Sequence, residues 1–264
     1  MNILFIGDVF GKAGRKVIKE RLPELKRELK IDVCIMNCEN VADGRGITEK
    51  TGRELFHIGV DVMTSGNHLW DRSDSFDYIH YEKRIVRPGN YPDEAVGSRF
   101  YIKELPSGMK LAVLCLTGQS FMQTPISPFI VLPQLIGEVQ DITNKIFVDF
   151  HAESTAEKRA LGLYFDGSVS AIIGTHTHIQ TADEEILPCG TAYLSDAGMT
   201  GPHDSIIGIK KDIIFQKMTT GMPLRYEVAE TGLQLNGVFV QLDDRTGRTV
   251  EINRIREKYS WQSY

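Results

Sequence analysis

No apolar run in this sequence approaches the ~18 residues that a membrane-spanning helix needs. The amino-terminal stretch Met1 to Ile6 is largely apolar, but it breaks at Gly7-Asp8, too early for a secretory signal. The four cysteines, at 34, 38, 115 and 189, contain no Cys-x-x-Cys pair. Cys34 and Cys38 fall at even spacing on a predicted strand, so they share a face and do not form a zinc knuckle. The expectation is reduced, mostly buried thiols in a cytoplasmic protein. Positive charge is also short: Lys plus Arg is 30 against 35 Asp plus Glu, a net charge of -5. Non-specific nucleic-acid binding rests on a basic surface, so broad nucleic-acid binding is not expected. There is no internal repeat, low-complexity tract or linker. With 42% hydrophobic and 25% charged residues, composition excludes disorder, collagen and coiled coil.

What remains is a chain of 264 residues, read as one domain over 1–264. Apolar runs at Asn2 to Ile6, Ile31 to Met36 and Asp61 to Thr64 predict strands. Between them, Val17, Ile18, Leu22, Leu25 and Leu29 share one helical face, and Thr48 can cap a helix running to about His57. Strands separated by helices at this pace mean βαβ units and a mostly parallel sheet. The middle differs: Phe100–Glu104 and Lys110–Leu116 flank Pro106-Ser107-Gly108 as a hairpin, and residues 117–133, with three prolines, predict a loop that could cover a site. Lys145 to Phe150 is a strand running into His151. Ser154 and Glu157 predict a capping box for a helix to about Phe165, and Ala171 to Ile173 a strand that stops at Gly174. Leu235–Leu242 and Val250–Ile255 form a second hairpin signal. The sum is two packed mixed sheets with helices outside.

Five polar clusters each follow an apolar strand: Gly7-Asp8, Asn37-Cys38-Glu39-Asn40, Gly66-Asn67-His68, Asp149-Phe150-His151 and Gly174-Thr175-His176-Thr177-His178. Ligand sites of α/β sheets form at the carboxyl ends of strands, so these clusters can converge. Alone they differ: Gly-Asp is commonly a turn with an Asx hydrogen bond and Phe150-His151 a satisfied core histidine, Gly-Asn-His is a moderate signal, and His176-x-His178 is a stronger one, because imidazoles two apart on an extended segment point the same way. Together, Asp8, Glu39, Asn40, Asn67, His151, His176 and His178 make an oxygen and nitrogen donor set without sulfur. That set suits Mn, Fe, Zn or Co. It is too large for one ion and fits two that share a carboxylate. Asp8 and Glu39 are its only acids, and Glu39, with the longer arm, is the better candidate for the shared position. Two divalent ions against two carboxylates leave a positive site that attracts phosphate within an acidic protein. His57, His80 and His203 carry no such context.

The order Gly-Asp, Gly-Asn-His, single His, Gly-x-His-x-His resembles the calcineurin-like metallophosphoesterase superfamily. More narrowly, Gly7-Asp8-Val9-Phe10-Gly11, Asn37-Cys38-Glu39-Asn40, Thr64-Ser65-Gly66-Asn67-His68-Leu69-Trp70-Asp71, Gly174-Thr175-His176-Thr177-His178 and Asp196-Ala197-Gly198-Met199-Thr200-Gly201-Pro202 are similar to its YmdB branch. The resemblance implies an α/β fold, a four-layer αββα sandwich of two mixed β-sheets flanked by helices. It implies hydrolysis of 2′,3′-cyclic nucleotides to 3′-nucleotides at a pair of metal ions, usually iron or manganese. It places Asp8, Glu39, Asn40 and His178 on one ion and Glu39, Asn67, His151 and His176 on the other, with His68 as proton donor. It also suggests a homo-oligomer. Phe10 stands where the wider superfamily has His, Glu39 where it has a bridging Asp, and Leu69 where it has Glu; the branch shares all three. Gln119 stands where the branch leads one to expect a basic residue.

The expected chemistry is attack on phosphorus by a hydroxide bridging the ions, with His68 protonating the departing 2′ oxygen. The alternatives are a broad phosphodiesterase or phosphomonoesterase, and a regulatory protein that binds a nucleotide without turnover.

Overall fold

Alternation along the first strand decides the architecture. On β1 (Asn2–Ile6), Leu4 and Ile6 point to one side and Ile3 and Phe5 to the other, and all four are fully buried. A strand buried on both faces needs a partner layer on each. The computed structural model, which describes residues 1–259, supplies both. Residues 260–264 of the expected 1–264 domain lie outside the described residues.

β1 pairs in parallel with β2 (Val33–Asn37), which pairs in parallel with β3 (Val62–Thr64). Its other edge pairs antiparallel with β11 (Leu233–Leu242), and β11 takes β12 (Thr249–Lys258) and the short β10 (Gly201–Pro202). The second sheet runs β4 (Phe100–Glu104), β5 (Lys110–Thr117), β6 (Ile146–His151), β7 (Ala171–Thr175), β9 (Ala192–Leu194), β8 (Glu185–Ile186). Its centre, β5 to β9, is parallel; its edges are antiparallel.

Three apolar layers separate four structural ones. Leu4, Ile6, Cys34 and Met36 pack under α1 (Gly11–Glu28) and α2 (Glu49–Ile58). Ile3, Phe5, Val33 and Ile35 meet Val113, Phe147 and Ile173 between the sheets, with the Phe5 and Phe147 rings 5.1 Å apart. Leu114, Leu116, Val148 and Phe150 pack under α4 (Pro128–Val139) and α5 (Thr155–Tyr164). The short α3 (Phe76–Tyr81) and α6 (Lys211–Thr220) complete the helices. This is the expected αββα sandwich. No helix among the described residues is long and apolar enough to cross a membrane.

Most expected elements form, with corrections that have physical causes. Residues 128–133 are helix, not loop: Pro128 sits at the first turn, where no amide hydrogen is needed. Burial of Val131, Leu132 and Leu135 carries the helix past Pro133. β7 continues through Gly174 to Thr175, because Gly174 and Thr175 pair with Phe150 and His151. Thr48 caps α2 with a full capping box, but at α5 only half of the box forms. Ser154 accepts from the Glu157 amide, whereas the Glu157 carboxylate accepts from the amides of Gln119 and Ser120. Cys38 lies just beyond β2, yet it shares its buried layer with Cys34; all four cysteines are free, and Cys189 is exposed.

Candidate metal centre

The parallel strands of both sheets end at one edge of the sandwich, and the polar clusters lie there. Asp8 follows β1, Glu39 and Asn40 follow β2, and Asn67 and His68 follow β3. His151 ends β6, and His176 and His178 follow β7. The sheets approach so closely here that Gly66 has no room for a Cβ, which would strike the Glu39 carboxylate and the His151 ring. Glycine in Gly-Asn-His is therefore steric in origin.

His151 Nε2 is the focus. It lies 3.1 Å from Glu39 Oε1, 3.2 Å from Asn67 Oδ1 and 3.0 Å from His176 Nδ1. Glu39, His151 and His176 form a cluster able to hold a metal ion. Donor atoms about 3 Å apart are the spacing that a cation with ~2.1 Å bonds imposes on its ligands. A second group adjoins the first. The Asn40 amide Nδ2 lies 3.1 Å from Glu39 Oε1 and 3.2 Å from His178 Nε2. Asp8 is fully buried; its Oδ2 accepts from the His176 amide at 3.1 Å, while its Oδ1 has no hydrogen-bond partner. A buried carboxylate oxygen without a partner is costly unless a cation takes the lone pair. The donor set and the orphaned oxygen fit a metal ion. All seven expected donors, from both sheets, meet in this one place.

The electrostatics agree. Burial opposes ionisation of Glu39, but the imidazole of His151 outweighs it and holds the carboxyl below its usual range. Burial likewise opposes charge on His151, and the carboxylates of Glu39, Asp8 and Asp149 outweigh it, so its pKa rises. Burial first, then His151, push His176 down to about 3, so that ring is neutral and free to donate a lone pair. Burial raises the pKa of Asp8. One proton on His151 thus stands where a cation would otherwise balance the acids.

Behind each imidazole lies a partner that the sequence did not assign. His151 Nδ1–H donates to Thr175 Oγ1 at 2.9 Å, and Thr175 donates to Asp149 Oδ1 at 2.7 Å, which leaves Nε2 aimed at the centre. Burial lifts the pKa of Asp149 to about 6. His178 Nδ1 donates to the Ile207 carbonyl at 3.0 Å, and Glu153 accepts from His176 Nε2 at 3.2 Å. His68 stands apart. Its amide donates to Glu39 Oε2 at 3.2 Å, and its Nδ1–H donates to Asp71 Oδ2 at 2.8 Å, so Nε2 is left for a ligand in the cleft. The signals for Asp149 and Asp71 were available: one shares a strand face with His151, and the other lies three residues beyond His68. Gln119 is not part of this cluster; its side chain donates to the Thr124 carbonyl at 3.3 Å.

The motif Asp196 to Pro202 has its explanation here too. His176 and His178 hold left-handed backbones, at φ 103° and 67°, which is strained for non-glycine residues. Asp196 over-determines that loop, accepting from the Thr177 amide and hydroxyl at 3.1 and 2.8 Å and from Lys158 Nζ at 2.7 Å. Ala197 and Met199 amides donate to the Gly174 and His178 carbonyls. Lys158 and Asp196 are both 1% exposed. Asp196→Ala leaves the Lys158 charge buried alone and should lower unfolding free energy by about 3–5 kcal/mol in urea titrations. Burial opposes the Asp196 charge, but Lys158 outweighs it and depresses the pKa. The charge-dependent share of this gain is therefore present above the unfolded carboxyl value, about pH 4, and fades as pH falls through the lower folded value. A variant as stable as the parent at neutral pH would leave the backbone bonds alone as the clamp.

A family model described as YmdB-like protein matches residues 4–255. The chain is 47% identical over 256 residues to a 2′,3′-cyclic-nucleotide 2′-phosphodiesterase from Bacillus subtilis, covering 97% of this chain and 96% of that protein. A solved structure described as a novel phosphatase, from Mycoplasma pneumoniae, is 36% identical with TM-score 0.91, covering 98% of this chain and 93% of that one. A hypothetical protein from Thermus thermophilus superimposes with TM-score 0.92 at 35% identity, over 98% and 100% of the chains.

Proposed function

We propose that this chain, which belongs to the YmdB-like protein family, is a metal-dependent phosphodiesterase that opens 2′,3′-cyclic nucleotides to 3′-nucleotides. The observation that carries the proposal is the meeting of carboxylate, amide and imidazole donors from both sheets about His151 Nε2, beside Asp8 Oδ1, a buried oxygen with no hydrogen-bond partner. In this reading Asp8, Glu39, Asn40 and His178 hold one ion and Glu39, Asn67, His151 and His176 the other. Glu39 is the shared ligand, since its carboxylate touches both Asn40 and His151. The two sheets then act as one domain, because the first supplies four of the seven residues and the second three. Bound iron or manganese would supply Lewis acidity toward phosphoryl oxygens and lower the pKa of water. The chain's own residues do the rest. Thr175, Ile207 and Glu153 fix the imidazoles, and His68, oriented by Asp71, carries the proton that the 2′ oxygen needs as the P–O2′ bond breaks. A cytoplasmic location and a homo-oligomeric state belong to the same proposal, and four free cysteines fit a reducing compartment.

The test is metal analysis together with 2′,3′-cyclic AMP, 3′,5′-cyclic AMP and p-nitrophenyl phosphate esters assayed side by side. The expected result is two ions per chain and 3′-AMP as the main product. Comparable rates on all substrates would point to a broad phosphoesterase, and tight binding without product to a sensor.

A further inference from the structure

The cleft continues past the metal centre on both flanks. Cavities of about 400 and 390 Å³ share Arg45, His68 and His176, each within the ~300–1,000 Å³ range of small-molecule sites. One flank is walled by Tyr91, Phe121 and Met122. The Tyr91 ring is steadied by Trp70 at 4.8 Å. Phe121 is 92% exposed and holds a left-handed backbone at φ 64°, an aromatic ring offered to solvent at a strained position. The other flank runs beside Tyr226 into a third cavity of about 500 Å³, which adds Arg72.

Arg45 lines all three cavities. Asp43, Gly44 and Gly46 around it have positive φ, and the Gly44 amide donates to the Asn40 carbonyl at 3.1 Å. The turn built on Asn40 thus presents Arg45 to the cleft. Its guanidinium is 65% exposed and 3.6 Å from Asp71 Oδ2, an oxygen already accepting from His68. Arg72 pairs with Asp74 at 3.3 Å, and its buried Nε has no hydrogen-bond partner. Two loosely held guanidiniums and an aromatic ring on one side, and two aromatic rings on the other, are a pattern for phosphate and stacked bases.

The chemistry of ribose says why two flanks are needed. A cyclic phosphate closes the 2′,3′ edge of the ring, while the base leaves from C1′ and the 5′ oxygen from C4′, on opposite sides. A substrate held by its phosphate at the centre sends its base to one flank and its 5′ oxygen to the other. A lone nucleoside stops at its 5′ hydroxyl and leaves the Arg45–Tyr226–Arg72 flank unfilled.

Resting on the function proposed above, we propose that the preferred substrate is an RNA 3′ end bearing a 2′,3′-cyclic phosphate. Its terminal base stacks beside Tyr91 and Phe121, and the preceding nucleotide runs past Arg45 and Tyr226 toward Arg72. Water adds to phosphorus, the P–O2′ bond breaks, and the 2′ oxygen takes a proton. The RNA keeps its length and ends in a 3′-phosphate and a 2′-hydroxyl. A net charge of -5 is compatible with this, since the grip is local to a few nucleotides.

The experiment compares 2′,3′-cyclic AMP with the dinucleotide ApA carrying the same cyclic phosphate, using metal-loaded wild-type protein. We expect kcat/KM roughly tenfold or more higher for the dinucleotide, with a KM that rises more steeply with salt. In Arg72→Ala and Tyr226→Ala the ratio of the two kcat/KM values should fall toward one. Equal or lower kcat/KM for the dinucleotide overturns this inference while leaving the proposed activity standing. Loss of hydrolysis on both substrates overturns the activity itself.

Discussion

Replacing Glu39 by Gln should abolish stable occupancy of the metal centre, with kcat/KM on 2′,3′-cyclic AMP falling at least 100-fold. Loss of partners that merely orient a ligand lowers metal affinity by about 10–100-fold, and Glu39 is placed to touch both groups of donors directly. Two divalent ions need the charge of Asp8 and Glu39 together; Gln keeps the shape of the arm and removes half of that charge. The variant also has a signature in metal-free protein. Glu39 is the strongest influence holding the His151 pKa up against burial, so the His151 titration followed by NMR should move down. The sign for stability follows. A histidine whose folded pKa is raised contributes stability below its unfolded value near pH 6.5, and the contribution is lost as pH rises through the folded value. Glu39, whose folded pKa is lowered, contributes only above the carboxyl range, so metal-free Glu39→Gln should be less stable than the parent chiefly at mildly acid to neutral pH, with the gap closing at strongly acid pH and again at higher pH. Unchanged metal content would make Asp8 the shared carboxylate.

Why the donors are legible in the sequence and several of their supports are not is a matter of range. Each donor sits within a few residues of a strand end, so an apolar run followed by Gly, Asn, Asp or His marks it locally. β1 and β2 were legible for the same reason, being buried on both faces and continuously apolar. Asp71 and Asp149 lie within three residues of the histidines they support, but other supports use atoms that carry no residue signature or lie far along the chain. The Ile207 carbonyl holds His178, and the Asp196 carboxylate holds its loop through Lys158, Thr177 and the Gly198 amide. α6 was missed because only Ile214 on it is buried, which leaves no apolar stripe to read. The first half of α4, 128–133, reads as loop because prolines at 128 and 133 speak for a break, while four buried aliphatic side chains outweigh them in the folded chain. Arg45 had no motif at all; its place in the cleft depends on a turn wound from the backbone of Asn40.

His68→Ala is expected to keep both metals and lose about 10²–10⁴-fold in kcat on 2′,3′-cyclic AMP, the usual worth of a positioned general acid. The separation of effects is geometric. The ring of His68 bonds Asp71 and none of the seven donors, and its contact with Glu39 is made by the backbone amide, which alanine retains. Metal content measured on the purified variant should accordingly match the parent. The role can be isolated by varying the leaving group. A 2′ alkoxide is strongly basic and needs a proton as it departs; p-nitrophenolate is weakly basic and does not. His68→Ala should therefore be far less impaired on bis-p-nitrophenyl phosphate than on the cyclic nucleotide. Asp71→Asn, which weakens support of the imidazolium without removing the ring, should show the same selectivity at smaller amplitude. Equal losses on both substrates would mean that His68 binds the phosphoryl group rather than delivering a proton. Wild-type turnover in the alanine variant would remove it from the reaction.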